Sequence, residues 1–484
     1  MSQADDALTI AASVRAGTEL AAAVLARSLQ RIRSLDRSLR CFLDLDEGSA
    51  RARAEAVDRD PDRRGGPLAG VPVAWQDNLA VATERLSAAS RVLEGYRSPF
   101  SATVLTRTAA AGGVLLGRTN MDEFGMGSST ETSAHGPTHN PFAHDRVPGG
   151  GNGGGAAAVA ADLCPLAVGC DTGGSLRQPA ALCGVTGLKP TYGRVSRHGL
   201  VAVASSLDCV GAIARRAADL ATWLDAVAGV DPADPTSRPS PGPVAPTLPQ
   251  RHDLRGLRLG LPWQLNGPGL DDEVAAGTQR AIDHLRDLGA TLRGASLPSV
   301  VHALPACYLL AAAEAASNLA RYDGVRFGRR REALGRPDAM TSETRGQGFG
   351  DAVQLRLLLG AFATATSSGD DWYRGAENAH HSLRADLRRT FADCDLLACP
   401  ASPIPAFPLG SRRDDPLAMF VCDALTVPAS LAGLPAISLP CGATAGGLPI
   451  GLQLIAPADR EDLLLQVAHV FQQHSDHHLQ RPLP

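Results

Sequence analysis

Apolar residues recur along the first half of the chain at two spacings, one typical of helices and one typical of buried strands. Residues 19–36 carry apolar positions three or four apart and predict a helix, and residues 46–60 predict a second, exposed helix. The short apolar runs at 71–75 and 113–120 predict buried strands, with a helix between them around 103–112. Strands and helices therefore follow one another from the start of the chain.

The second half repeats this alternation. Helices are predicted at 215–230, 271–290 and 461–474, strands at 256–263, 394–402, 434–441 and 448–456, and a mainly helical region at 311–392. Residues 231–252 are rich in proline and predict a surface excursion. Alternation over the whole length favours an α/β fold, with a mixed central sheet covered by helices on both faces, in a single domain spanning 1–484.

Composition narrows the possible classes of protein. The chain has 484 residues, of which 44% are hydrophobic, enough for a large core. A net charge of −4 and an aromatic content of 4% disfavour a nucleic-acid partner. The first residues, "MSQADDALTI", lack the basic and apolar regions of a signal peptide, and no uncharged apolar run reaches spanning length. We therefore expect a cytoplasmic protein without a membrane partner.

The ten cysteines are scattered singly, without a CxxC pair or zinc-type spacing, so we expect reduced core residues and no metal site. A G-x-G-x-x-G pattern occurs at Gly149, Gly151 and Gly154. The segment before it is polar and contains a proline, and no Lys-Ser/Thr follows the glycines. A nucleotide site is therefore disfavoured, and the sequence indicates no cofactor.

Several long stretches are more specific. They are "GRTNMDEFGMGSSTETSAHGPTHNPF" (117–142), "GCDTGGSLRQPAALCGVTGLKPTYGRVSRHGLVAVASSLDCVG" (169–211), "NLARYDGVRFG" (318–328), "DDPLAMF" (414–420) and "LPIGLQLI" (448–455). With them the chain resembles the amidase signature family, and within it the A subunits of glutamine-dependent amidotransferases. The resemblance covers nearly the whole chain and implies the amidase-signature fold.

The resemblance implies a serine nucleophile at Ser175. It also implies an oxyanion hole formed by the backbone N–H groups of Thr172, Gly173, Gly174 and Ser175. Such donors stabilise the charge that develops on an attacked carbonyl oxygen. Asp171 and Arg177 then correspond to structural supports of this loop, or simply to an ordinary ion pair.

Two further members of the family's Ser–Ser–Lys triad are absent. The bridging serine corresponds to Gly151, and the lysine base corresponds to Gln76. A serine hydroxyl is a weak nucleophile without an adjacent base, and neither glycine nor a glutamine amide can relay its proton. Lys189 is the only lysine in the chain, and it matches a different family lysine. Ordinary amide hydrolysis is therefore expected to be weak or absent.

The resemblance to the amidotransferase A subunits implies that Tyr322, Arg356 and Asp423 bind the α-amino and α-carboxylate groups of glutamine. An arginine can clamp a carboxylate, and an aspartate can pair with an ammonium group. The helical region 311–392 is accordingly expected to form the substrate pocket. Because the family's tyrosine-rich stretch reads "SSGDDWYRGAENAHH" here, one wall of that pocket is expected to differ.

Three functions remain open. The main interpretation is altered acyl-transfer chemistry on an amide or ester of an amino-acid-like substrate, carried out by Ser175 and its oxyanion loop. Its base would come from the substrate, water, Asp77 or His198. The first alternative is an inactive pseudo-amidase that acts as a binding or scaffold subunit. The second is a glutamine-dependent amidotransferase subunit. The partners expected are a small amino-acid-like or acyl substrate, with partner subunits or a carrier left open.

Overall fold

The structure, a computed structural model, describes residues 6–331, 336–365 and 369–482, without the side chains of 369 and 370. Parts of three sequence-based predictions lie outside the described residues: the ends of the single domain 1–484, positions 332–335 and 366–368 of the helical region, and the start of the "SSGDDWYRGAENAHH" stretch. Within the described residues the chain forms eleven strands and sixteen α-helices.

The strands are β1 (Phe42–Asp44), β2 (Pro72–Gln76), β3 (Val114–Thr119), β4 (Leu166–Asp171), β5 (Thr186–Lys189), β6 (Cys209–Ala214), β7 (Arg258–Pro262), β8 (Thr291–Ala295), β9 (Leu396–Pro400), β10 (Ala436–Ala443) and β11 (Pro449–Ile455). The helices are α1 (Ala7–Arg15), α2 (Ala21–Leu39), α3 (Glu47–Arg59), α4 (Pro61–Gly65), α5 (Thr103–Ala110), α6 (Gly153–Ala160), α7 (Arg177–Leu182), α8 (Ala217–Val227), α9 (Asp272–Asp287), α10 (Ala303–Asn318), α11 (Pro337–Gly348), α12 (Asp351–Thr364), α13 (Gly369–Asp393), α14 (Pro416–Val421), α15 (Val427–Leu431) and α16 (Glu461–Gln473).

All eleven strands join one sheet in the order β1-β3-β2-β4-β6-β5-β10-β11-β9-β7-β8. Strand β2 pairs in parallel with β3 and β4, and β7 with β8 and β9, whereas the other pairs are antiparallel. The predicted α/β fold around a mixed sheet is confirmed.

Helices cover both faces of the sheet, as strand β9 illustrates. Its residues Leu396 and Ala398 belong to the largest apolar cluster, and the alternate residues Leu397 and Cys399 belong to a second cluster. Successive side chains of a strand point to opposite faces, so the two clusters lie on the two sides of the sheet. The continuous apolar run of β9 in the sequence reflects this burial on both faces.

Local sequence signals set the helix boundaries. The side chain of Asp271 accepts hydrogen bonds from the backbone N–H groups of Glu273 (2.9 Å) and Val274 (3.2 Å), and these bonds cap the start of α9.

The proline-rich segment 231–252 is partly exposed, but it also inserts Val244 and Leu248 into the main core. It is thus fastened to the domain rather than purely a surface excursion.

Lys189 ends β5 inside the sheet and is 1% exposed. Its ammonium group donates to the carbonyl oxygen of Pro190 at 3.0 Å, and burial lowers its pKa. All ten cysteines are buried and unpaired. In the described part of the chain, no three His, Cys, Asp or Glu side chains cluster as metal ligands would.

One described helical stretch, Pro298–Arg321, is long and apolar enough to cross a membrane, but half of its most apolar part is buried inside the protein.

Candidate active site

The candidate nucleophile lies at the carboxyl end of β4, where the chain turns into α7. Ser175, Thr172 and Gly173 are partly exposed there. Gly174 has a φ of +145°, and a Cβ at this position would overlap the side chain of Thr426. Glycine is therefore required at this turn both for its backbone angle and for the close approach of Thr426.

The loop leaves backbone donors available. Among the described residues the backbone N–H groups of Gly173, Gly174 and Ser175 have no acceptor within the protein. The carbonyl oxygen of Gly173, by contrast, is held by the Thr426 hydroxyl at 2.7 Å. Adjacent N–H groups without an internal acceptor are what an oxyanion hole requires, so the predicted assignment is consistent with the loop geometry.

Asp171 and Arg177 form a buried pair behind this loop, with both side chains fully inaccessible. The guanidinium group of Arg177 donates to both carboxylate oxygens of Asp171, at 2.8 and 3.0 Å, and also to the carbonyl oxygen of Thr426. Arg177 thereby holds the pKa of Asp171 below its ordinary value against the effect of burial. Losing one partner of such a pair costs about 3 to 5 kcal/mol of stability.

Asp208 is a site residue that the sequence reasoning missed. Its carboxylate accepts a hydrogen bond from the Thr172 hydroxyl at 2.7 Å and from the backbone N–H groups of Val203 and Ala204. Burial raises the pKa of Asp208 to about 6. This carboxylate positions the first residue of the oxyanion loop. The signal lay in "SSLDCVG", the end of a stretch already singled out.

Gly151, the position expected to correspond to the bridging serine, lies directly against Ser175. Its φ is +70°, and a Cβ there would overlap the Cβ and Oγ of Ser175. The Gly151 N–H donates to the carboxylate of Asp122 at 2.9 Å, which also accepts from the backbone of Thr130 at 2.9 Å. The loop is thus fixed in a conformation that has no room for a side chain at residue 151.

Gln76, the position expected to correspond to the lysine, is 1% exposed, and its amide is engaged on both sides. Its Nε2 donates to the Gly151 carbonyl oxygen at 2.9 Å, and its Oε1 accepts from the backbone N–H of Cys170 at 2.7 Å. The amide joins the glycine loop to β4. It is a neutral structural bridge, and an amide is too weak a base to take up the proton of Ser175 near neutral pH.

The other groups considered as bases are also engaged elsewhere. Asp77 forms a buried ion pair with Arg118 and accepts hydrogen bonds from Ser87 and from the Ala89 backbone. His198 stacks on Phe100 and contacts the Thr103 hydroxyl at 3.2 Å. Neither residue makes a contact with the Ser175 loop among the described residues.

The cysteines near the loop are unsuited to act as nucleophiles. Burial raises the pKa of the Cys170 thiol well above its ordinary value and that of Cys209 to about 11. A thiol must be deprotonated to react, so both remain inert near neutral pH. Asn152 is also buried, and its Nδ2 has no hydrogen-bond partner among the described residues.

Side chains from α10, α12 and the segment after α14 lie together and form the candidate binding pocket. The guanidinium group of Arg356 lies over the ring of Tyr308, 4.4 Å from its centre, and 5.2 Å from that of Phe420. The carboxylate of Asp423 accepts from the Tyr308 hydroxyl at 3.0 Å and from the Ser128 hydroxyl at 2.8 Å. Arg356 and Asp423 thus share one pocket, with Tyr308 between them.

Tyr322 lies outside this pocket, which corrects the prediction for that residue. Its ring packs against Phe124 (5.3 Å between ring centres), Phe327 and Phe349 in a separate apolar cluster. Among the described contacts its side chain touches neither Arg356 nor Asp423. Tyr308, fourteen residues earlier, occupies the place that the prediction gave to Tyr322.

The comparisons with known proteins agree with this architecture. The amidase family model matches residues 23–465. The A subunit of glutamyl-tRNA(Gln) amidotransferase from Chloroflexus aurantiacus is 47% identical over 473 residues, covering 97% of this chain and 96% of the relative. The crystal structure of the same subunit from Thermotoga maritima superposes with a TM-score of 0.79 at 35% identity, covering 93% of this chain and 91% of that one.

A third relative is an enzyme of a different name. The native peptide amidase from Stenotrophomonas maltophilia has a TM-score of 0.82 at 31% identity, covering 99% of this chain and 98% of that one. Among the three functions considered, these relatives support the role of an amidotransferase component more than altered acyl-transfer chemistry. Because the family model matches most of the chain and the relatives are similar over nearly its full length, the chain belongs to the amidase signature family.

Proposed function

We propose that this protein acts as an A-type amidotransferase subunit that binds an amino acid such as glutamine, and that it does not release ammonia by the family's Ser–Ser–Lys route. The subunit role rests on the relatives, which are named as A subunits. The observation that carries the binding role is the Arg356–Tyr308–Asp423 pocket, because it holds a cation and an acid side by side.

The two charges suit the two ends of a free amino acid. The Arg356 guanidinium can clamp an α-carboxylate, and the Asp423 carboxylate can receive an α-ammonium group. Asp423 is partly exposed and therefore within reach of a ligand. Burial of its carboxyl raises the pKa of Asp423 to about 7, and an ammonium group beside it would favour the ionised form.

The proposed loss of turnover rests on the neutral contacts around Ser175. Both ends of the Gln76 amide are hydrogen-bonded to backbone groups. At Gly151 there is no space for a side-chain hydroxyl that could pass on the proton of Ser175. Asp77 and His198, the side chains considered as bases, are engaged elsewhere, and the buried thiols of Cys170 and Cys209 stay protonated. Removing triad members in serine hydrolases can cost on the order of 10⁶ in turnover. The oxyanion loop then remains as part of the pocket wall.

The deciding experiment combines binding and turnover on the same preparations. Glutamine binding is measured by calorimetry on the wild type and on Ser175→Ala, and ammonia release is measured in parallel. We expect equal binding by both proteins and no ammonia release by the wild type above that of the variant. Ammonia release that Ser175→Ala removes would contradict the loss of turnover, and absence of glutamine binding would contradict the pocket.

A fluorophosphonate serine probe provides an independent control. The peptide amidase from Stenotrophomonas maltophilia serves as a reference of the same fold. We expect labelling of the reference and none of the wild-type protein, as followed by intact-protein mass spectrometry. Labelling that disappears in Ser175→Ala would show an activated serine and would restore the altered acyl-transfer interpretation.

A further inference from the structure

A second cavity lies beneath α9, at the far end of β10. Its volume is about 310 Å³, and it shares no lining residue with the candidate active site. Arg280 and His284 of α9, Phe471 of α16, Cys441 of β10 and His477 line it. Pockets that bind small molecules begin at about this size.

Three groups of this cavity that can donate hydrogen bonds have no partner. The buried Nε2 of His284 and the buried Nδ1 of His477 have no hydrogen-bond partner within the described chain. Arg280 is exposed to solvent at the rim of the cavity, and it forms no ion pair or hydrogen bond with any described residue. The two imidazole nitrogens call for an explanation, because unpartnered buried polar atoms are uncommon in native proteins.

Among the described residues, the charged or titratable nitrogen-containing side chains that line the cavity are all basic, and no aspartate or glutamate lines it. The nearest acidic neighbour of His477 in the sequence is Asp476, which is not a lining residue. Asp283, beside His284 in the sequence, is already engaged with Arg286 at 2.9 Å. The remaining wall is apolar or small and includes Ala281, Ala443 and Phe471. The cavity therefore combines an anion-attracting end with an apolar body.

We propose that this cavity binds a small organic carboxylate with an apolar body. The carboxylate would lie between the Arg280 guanidinium and the two imidazoles, which would donate through His284 Nε2 and His477 Nδ1. The apolar body would pack on Phe471 and the neighbouring alanines. Such a ligand satisfies every unpartnered donor named above, and neither a cation nor an uncharged hydrocarbon does so.

Protonation of the cavity links this binding to pH. Desolvation lowers the pKa of His477, as do the nearby charges of Arg280 and His284, whereas Asp476 acts in the opposite direction. Burial raises the pKa of the Cys441 thiol to about 12, so that it stays neutral. A bound carboxylate would favour the charged imidazole, so binding takes up protons and strengthens as pH falls.

Benzoate is the probe for this site, and benzamide is its uncharged counterpart. Binding is followed by NMR through the imidazole signals of His284 and His477, together with calorimetry, at pH 8 and pH 6. The variant is Arg280→Gln. The matched control is Arg286→Gln, because Arg286 lies on the same helix but is paired with Asp283 and Asp287.

We expect benzoate to shift both imidazole signals and to bind several-fold more tightly at pH 6 than at pH 8. Arg280→Gln should weaken binding about tenfold or more, as loss of a charge-assisted contact does, and Arg286→Gln should leave it within about twofold. Benzamide should bind about tenfold more weakly. The proposal is overturned if neither signal moves at millimolar benzoate, or if Arg280→Gln binds benzoate as the wild type does. It does not depend on the function proposed above.

Discussion

The surroundings of Ser175 and the pocket around Arg356 are linked by Thr426, whose hydroxyl contacts the carbonyl oxygens of both Gly173 and Asp423, but they differ in the charge of the side chains that define them. Around Ser175 a neutral amide and a glycine connect backbone segments to one another. In the pocket an arginine, a carboxylate and a tyrosine hydroxyl lie together, and all three residues are partly exposed. If the proposed function holds, recognition of a charged ligand and transfer of a proton depend on separable parts of this fold.

The largest expected effect comes from a substitution in the glycine loop beside Ser175. Gly151→Ser places a side chain where Ser175 lies and at a φ of +70°, which L-residues adopt only at a cost. Overpacking and the unfavourable backbone angle together predict a loss of about 3 kcal/mol in the free energy of unfolding. Urea denaturation followed by circular dichroism measures it. Gly446→Ser is the control, because a Cβ there meets no atom closer than 3.8 Å. Equal stability of the two variants would contradict the rigid loop.

The next largest effect is expected from a substitution in the pocket around Arg356. Arg356→Gln removes the cation expected to hold the α-carboxylate and should cost about 2 kcal/mol of binding, or roughly 30-fold in the Kd for glutamine. The control is Arg345→Gln, since Arg345 also lies over an aromatic ring, that of Phe349 at 5.1 Å, but in the cluster around Tyr322. Calorimetry should find the control within about twofold of the wild type. Equal losses in both variants would remove the distinction between the two clusters.

A smaller effect concerns pH. Because the pKa of Asp423 lies at about 7, its carboxylate becomes available to an ammonium group as pH rises from 6 to 8. Glutamine should therefore bind about tenfold more tightly at pH 8 than at pH 6, and Asp423→Asn should remove this dependence. The charged and titratable groups that interact with Asp423 are Arg356, Tyr308, Cys307, Cys422 and Asp122.

Stability should respond to pH with the opposite sign. The folded protein holds a proton on Asp423 that the unfolded chain has released above its ordinary pKa of 3.8, so this group's contribution falls as pH rises towards 7. Asp208 and Asp219 also have raised pKa values, of about 6 and about 7, and act in the same direction. The pH dependence of glutamine binding therefore reports on Asp423, whereas the pH dependence of the free energy of unfolding reflects several groups together.

The smallest effect sharpens the boundary of the pocket. Tyr308→Phe removes a hydroxyl bonded to Asp423 and should weaken glutamine binding about fivefold, as loss of one hydrogen bond does. Tyr322→Phe should change the Kd by less than about twofold, because its ring lies in the other cluster. The same calorimetric titration measures both. A larger effect at Tyr322 would reinstate the sequence-based assignment.

The contrast between Tyr308 and Tyr322 also shows how far sequence can reach. Apolar periodicity predicts the alternating strands and helices, because burial repeats with each element's geometry. It cannot tell which of two tyrosines fourteen residues apart, one in α10 and one just beyond it, contacts a given aspartate more than a hundred residues later. Ser128 and Asp208 lay inside motifs that the sequence had singled out, but their partners became visible only in three dimensions.

Gln76 marks another limit. The chemistry of an amide predicts from sequence alone that no proton can be accepted there. The two backbone bonds that it makes, and the overlap that excludes a side chain at Gly151, follow from how close the strand and the loop approach. No local pattern encodes those distances.

The burial of Lys189 has a practical consequence for kinetics. As the only lysine, it leaves the folded surface without a single side-chain primary amine. Reagents that acylate amines can therefore react with a side-chain amine only when strand β5 opens and exposes Lys189. The rate at which Lys189 becomes labelled would report the opening of the middle of the sheet, residue-specifically and without an introduced probe.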